Sequence, residues 1–294
     1  MVALHVMPSR SVLCATVILI AVVGSGCSVI GRLTRLGAAE PRQVPAARPD
    51  TDVVGDTMLD AAFVAQEPPI ALAESEDYVV RVVVGAVTCS GTLIAEDQVL
   101  TAHHCIARRD RNGRPLPADA DAYDIRIELG GDYMPWAEVG VRDVVAPGCG
   151  HASGHGDVAI LILERRMAGA ATLTPNLDRE PELGQVVTPV GFGRCALSSD
   201  GVKRRERKGG AIDVLVPDRF QLEAAICPGD SGGPALSADR QIVGVVSSSA
   251  MDGDAATRER SEFTRLDAWR PLFANAKRIA EGVSVAELPP VDCH

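Results

Sequence analysis

Two short stretches of the chain carry residue types suited to acyl transfer. In CPGDSGGP, residues 227–234, one serine, Ser231, follows an aspartate and is bracketed by glycines. Glycines let the backbone turn sharply and expose the hydroxyl. They also bring the N–H groups of Gly229 and Ser231 to bear on one point, which is what stabilising an oxyanion requires. A serine hydroxyl is a poor nucleophile at neutral pH unless a base removes its proton. The second stretch, LTAHHC, residues 100–105, supplies two candidate bases side by side, His103 and His104. Imidazole titrates near neutral pH, so by residue type either could serve.

Such groups need a rigid support, and the texture of the chain indicates which kind. From Tyr78 onward, short runs rich in Val and Ile recur as YVVRVVVGAV, IRIEL, VAILIL, VVTPVGF, AIDVLV and IVGVVSS, separated by Gly, Pro and Asp clusters. This pattern predicts an all-β protein. Aromatic residues make up only 3% of the chain, so the core must be aliphatic. Two successive groups of strands, about 78–170 and 183–265, have similar lengths and fit two small barrels. A final amphipathic segment, AWRPLFANAKRIAE, places Trp269, Leu272, Phe273, Ala276 and Ile279 on one face and predicts a helix over about 267–281, capped by Asp267. At 294 residues the chain can bury a sizeable core. Its formal net charge of -10 argues against a nucleic-acid surface.

Taken in order, CSGTLIAEDQVLTAHHC, GDVAILIL and CPGDSGGP resemble the chymotrypsin/trypsin family of serine proteases, over roughly residues 78–281. The resemblance implies two six-stranded antiparallel β-barrels with a C-terminal helix, in a protease domain spanning about 70–285. In that family the base directly precedes a cysteine that has a second cysteine sixteen residues upstream, as Cys105 has Cys89. His104 thus takes the catalytic place, and His103 stands where the family prefers alanine. Asp157 in GDVAIL falls at the buried aspartate and Ser231 at the nucleophile, in the chain order that separates this family from subtilisin-like and α/β-hydrolase arrangements. The oxyanion hole would be Gly229 and Ser231. Ala225 falls at the pocket floor, where trypsin-like members carry an aspartate. Ser247 falls on the strand that pairs with the substrate backbone, and Ser249 at the pocket mouth. Cleavage after small or medium apolar residues is therefore expected, rather than after Lys or Arg. A bridge between Cys89 and Cys105 is implied, with Cys195–Cys227 and Cys149–Cys293 as further pairings. No cofactor and no metal are expected, and the substrate is a polypeptide.

The first 26 residues read as an export signal, with Arg10, an apolar run from Val12 to Val23 and small residues up to Gly26. The following Cys27 resembles the lipidated cysteine of a bacterial lipoprotein, which would tether the chain to a membrane; an ordinary signal peptide is the alternative. Residues 27–69, with Pro41, Pro45 and Pro49, read as a tether or propeptide. Of the eight cysteines, six lie beyond Cys27, an even set that suits disulfides in an exported chain. Family zymogens are cut to free an I-V-G-G-like terminus whose ammonium pairs with the aspartate before the serine. That aspartate, Asp230, is present, but no such terminus is; RVVVGA, residues 81–86, reads as a strand. His151 and His155 read as solvent-facing loop histidines, and KRRERK, residues 203–208, as a solvated loop tip. Two further readings compete with the peptidase: a non-catalytic peptide- or inhibitor-binding protein on the same scaffold, and an esterase.

Overall fold

A computed structural model describes residues 75–131, 134–149, 151, 155–194, 203–250, 260–291 and 293. All of them belong to one compact unit, Leu59–His294. The expected signal segment, Cys27 and the tether lie outside the described residues.

Six strands close the first barrel. They are β1 (Val79–Val84), β2 (Val87–Ala95), β3 (Gln98–Thr101), β6 (Ile125–Leu129), β7 (Ala137–Val145) and β8 (Ala159–Leu163), in the spatial order β1-β2-β3-β8-β7-β6. Every pairing is antiparallel. In β6, IRIEL, the three apolar residues are buried while the polar ones between them face outward, as a half-buried strand requires. β8, AILIL, is apolar throughout and buried throughout. A second layer covers its outer face: helix α1 (Arg270–Ala280) contributes Leu272, Phe273, Ala276 and Ile279 to the same core. A short antiparallel hairpin of β4 (Ala107–Arg109) and β5 (Pro115–Asp119) projects between β3 and β6.

The helix starts differently from the expectation. Asp267 lies in a 3-10 turn ahead of α1, and Trp269 occupies the cap position without a side-chain cap bond. The Asp267 carboxylate is held instead by Arg265, whose guanidinium reaches both of its oxygens at 3.1 and 2.7 Å. Pro271 then opens the helix where its missing N–H costs nothing. At the other end Arg142 donates to the carbonyls of Ile279 and Ala280, at 3.0 and 3.1 Å, the place where a cation complements the helix dipole.

The second set of strands comprises β9 (Val186–Gly191), β10 (Arg205–Glu206), β11 (Gly210–Ala211), β12 (Val214–Val216), β13 (Arg219–Leu222), β14 (Pro234–Leu236), β15 (Ile242–Ala250) and β16 (Arg260–Arg265). They run β10-β9-β14-β15-β16-β13-β12, with β11 also on β9. The expected AIDVLV strand is split between β11 and β12. A hydrogen bond from Ala225 N, just after β13, to Lys208 O, between β10 and β11, links the two sides of this sheet at 3.1 Å. The outcome is two antiparallel bodies of the chymotrypsin type, one a fully closed barrel and the other a sheet curled nearly shut. The core of the second is small, with Phe220 stacked on Phe263 at 5.1 Å among aliphatic side chains.

Candidate active site

The site lies where the two bodies meet, and Ser90 on β2 ties them together. Its N–H donates to Ser231 O (2.8 Å), its hydroxyl donates to Gly229 O (2.7 Å), and the same hydroxyl accepts from Phe192 N (2.8 Å). One buried side chain of the first barrel thus fixes the loop that carries the serine. From the opposite side Thr264 on β16 donates to Asp157 O at 3.0 Å.

His104 lies in a 3-10 turn, His103–Cys105, directly after β3, and the Cys89–Cys105 disulfide pins this turn to β2. Asp157 lies just ahead of β8 and is buried. Its carboxylate accepts from the backbone N of His104 (2.9 Å) and faces His104 Nδ1 at 2.9 and 3.1 Å. The Ser247 hydroxyl on β15 donates to it as well. Burial alone would raise the Asp157 pKa, but the hydrogen bonds and charge of His104, with Ser247, outweigh burial and hold it below the ordinary carboxylate range. A carboxylate only accepts, so the Nδ1 of His104 carries the proton and Nε2 keeps its lone pair. Among the described residues no hydrogen bond joins His104 to Ser231; contacts of this kind commonly tighten only when a substrate fills the site.

Around Ser231 the backbone does what the glycines anticipate. Gly229 and Gly232 have φ of +101° and +82°, values that L side chains rarely adopt. A Cβ on Gly232 would also be driven into the Ser90 carbonyl and the Thr101 hydroxyl. The N–H of Gly232 is bonded to Val246 O and that of Asp230 to Cys227 O. The N–H groups of Gly229 and Ser231 have no such partner among the described residues. Two adjacent donors are therefore available to a developing negative charge.

Asp230 is fully buried and its carboxylate is saturated. It accepts from Gly193 N (2.7 Å) and Cys227 N (2.8 Å), and Arg207 approaches edge-on with Nη2 and Nε at 2.9 and 2.8 Å. This corrects the reading of residues 203–208 as a solvated tip. The side chains of Arg204 and Arg207 are only 4% and 9% exposed, Arg204 pairing with Asp77 at 2.8 Å. A run of like charges resembles a solvated loop unless each charge has a buried partner distant in sequence, and no local signal announces Asp77 or Asp230.

The other histidines each have a distinct setting. His103 is buried and its Nε2 lies 2.8 Å from Asp119 Oδ1 on β5. His155 keeps its side chain 45% exposed, as a solvent-facing loop histidine, and reaches Asp218 Oδ2 at 2.7 Å through Nδ1. His151 is partly buried with its ring against that of His103.

Among the residues expected to shape a pocket, Ala225 follows β13, is solvent-exposed and binds the Lys208 carbonyl. Ser247 is directed at Asp157, and Ser249 pairs with Ser261 across β15 and β16. Cys149 is bonded to Cys293. Cys227 is disulfide-bonded; its partner lies outside the described residues, as does Cys195. The sulfurs of Cys89 and Cys105 and a ring nitrogen of His104 lie within 4.8 Å of one another, but sulfurs bonded to each other are not thiolate ligands. No helix among the described residues is long and apolar enough to cross a membrane. Sequence reasoning did not single out Ser90, Asp119, Arg207 or Thr264. Only Ser90 had a signal, its place beside Cys89 in the CSG frame.

Comparison with known proteins places these features in context. The family model described as Trypsin matches residues 71–272. Cathepsin G of Mus musculus is 24% identical over 213 residues, 66% of this chain and 76% of the relative. Similar folds occur in a Glu endopeptidase (TM-score 0.55, 17% identity, 72% of this chain and 94% of the other). They occur too in neuropsin, a serine protease expressed in the limbic system of mouse brain (0.54, 17%, 69% and 95%). A mutant of human heparin binding protein is a further structural neighbour (0.56, 17%, 69% and 92%).

Proposed function

Because the chain belongs to the trypsin family of serine proteases and is a serine endopeptidase acting on polypeptides, we propose that it cleaves them through an acyl-enzyme on Ser231, with His104 as base and Asp157 as its orienting carboxylate. The observation that carries this reading is the Asp157 carboxylate, buried and shared by His104 N, His104 Nδ1 and Ser247. It fixes the tautomer in which Nε2 can accept a proton.

Ser231 Oγ attacks the scissile carbonyl as its proton passes to His104 Nε2, and the carbonyl oxygen, now negative, meets the N–H groups of Gly229 and Ser231. Each such donor contributes about 3 kcal/mol in related enzymes. The tetrahedral intermediate collapses, His104 returns the proton to the leaving amine, and the acyl group stays on Ser231. Water then repeats the cycle: His104 takes its proton, the hydroxide adds to the acyl carbon, and Ser231 recovers its hydrogen as the acid departs.

The preference is for a small or medium apolar residue before the cut bond. Ala225 offers no charge to a basic side chain, and the nearby Ser261 hydroxyl is committed to the Ala224 carbonyl at 3.0 Å. The Cys89–Cys105 and Cys149–Cys293 bridges fit an exported protein in an oxidising compartment; a lipid tether at Cys27 would hold it at a membrane.

The test is fluorophosphonate labelling with amide turnover. Ser231→Ala should lose all labelling, and His104→Ala should lower kcat by at least about 10³-fold. An unlabelled wild type would favour the binding protein. Ester turnover without amide turnover would favour the esterase, and a marked preference for Lys or Arg substrates would refute the apolar specificity.

A further inference from the structure

The anomalous histidine of LTAHHC has an unused nitrogen. His103 is 3% exposed. Its Nε2 faces the Asp119 carboxylate at 2.8 Å, and because a carboxylate only accepts, Nε2 holds the proton. Nδ1 is then a bare lone pair, and it is buried with no hydrogen-bond partner among the described residues. Buried polar atoms without partners are rare and call for an explanation.

The ring beside it belongs to His151. The two centroids are 5.6 Å apart with the planes at 71°. A zinc–nitrogen bond of about 2.0–2.1 Å puts an ion about 3.2 Å from each ring centre, so two imidazoles on one tetrahedral ion have centroids roughly 5.2 Å apart. The observed spacing needs only a few tenths of an ångström of adjustment. A ligating histidine generally donates its other ring N–H to a carboxylate, which fixes the tautomer and raises ligand basicity. Asp119 already does this for His103.

We propose that His103 Nδ1 and His151 form a two-histidine site for a divalent cation of the zinc class, beside His104. Imidazole nitrogen suits zinc, copper and nickel. Water completes the coordination, and with half the protein ligands of a structural zinc site the affinity is modest, a Kd on the order of micromolar. The ion lies beside the candidate catalytic pair, since His103 directly precedes His104 in the same turn and His104 faces Asp157 at 2.9 Å. A dication there disfavours the imidazolium that His104 must become as Ser231 attacks. The site therefore acts as an inhibitory switch, a consequence that rests on the proposed role of His104.

Binding and inhibition are measured separately. In Ser231→Ala protein, titration calorimetry with Zn²⁺ alone should give one equivalent at micromolar affinity, and Co²⁺ should give the visible absorption of a nitrogen-ligated ion. His151→Ala in that background should weaken zinc binding at least tenfold, and His155→Ala should leave it unchanged. In the otherwise native chain saturating Zn²⁺ should lower turnover about tenfold, with recovery on adding EDTA. Binding that is absent, or unchanged by His151→Ala, overturns the site. Binding lost in His151→Ala without any zinc effect on native turnover upholds the site and overturns its coupling to His104.

Discussion

One carboxylate carries three donors at the candidate site, and its protonation should be visible in stability as well as in rate. The folded Asp157 has a depressed pKa. Its contribution is therefore fully present above the unfolded value of about 3.9 and is lost as pH falls through the lower folded value. Urea midpoints at pH 5 and pH 3 should accordingly differ more for the wild type than for Asp157→Asn. A larger change in the variant would rule out this linkage. Asp157→Asn should also lower kcat by on the order of 10⁴-fold, by favouring the wrong tautomer of His104. His103 belongs to another network. Replacing it with alanine removes a buried ring and its bond to Asp119, for a loss of about 1–3 kcal/mol in urea unfolding. Turnover at 25 °C without added metal should stay within about tenfold of the wild type; a loss as large as that of His104→Ala would mean that the frame is wrong by one residue.

The turn bearing Ser231 depends on its neighbours for its shape. Ser90 holds it from the first barrel, and Arg207 neutralises Asp230 from within the second set of strands. Family zymogens form a comparable ion pair only after a cut frees an ammonium terminus. Here an internal guanidinium, that of Arg207, makes it. We expect an active enzyme without that cut, with turnover unchanged when the terminus is acetylated or extended. A requirement for a new free terminus, found by sequencing active material, would refute this. Arg207→Met should strand a buried carboxylate, costing about 3–5 kcal/mol in urea unfolding and most of the turnover. A variant that kept both would show that the pair is dispensable. These contacts were not legible in the sequence, because KRRERK carries no mark of which arginine meets a carboxylate more than twenty residues away.

At the scale of the molecule, the first barrel is closed and backed by α1, while the two sides of the second sheet are linked by the bond from Ala225 N to Lys208 O. The Cys149–Cys293 bridge spans 144 residues and ties the chain's end to the loop before Asp157. Replacing both cysteines with serine should cost about 2–4 kcal/mol in guanidinium unfolding. An unchanged midpoint would mean that the bridge does not stabilise the fold. The sequence alone determined the all-β class, the approximate strands, the apolar face of α1 and the glycine-rich turn, because alternation, helical period and glycine are local properties of a chain. Its three motifs also sufficed to place it in its family. Tertiary structure decided the rest: that Asp157 serves both His104 and Ser247, that Arg207 and not a terminus meets Asp230, and that His103 turns towards Asp119 and His151. Each is a pairing between distant residues, and a buried charge or lone pair acquires its role only from the partner that folding brings to it.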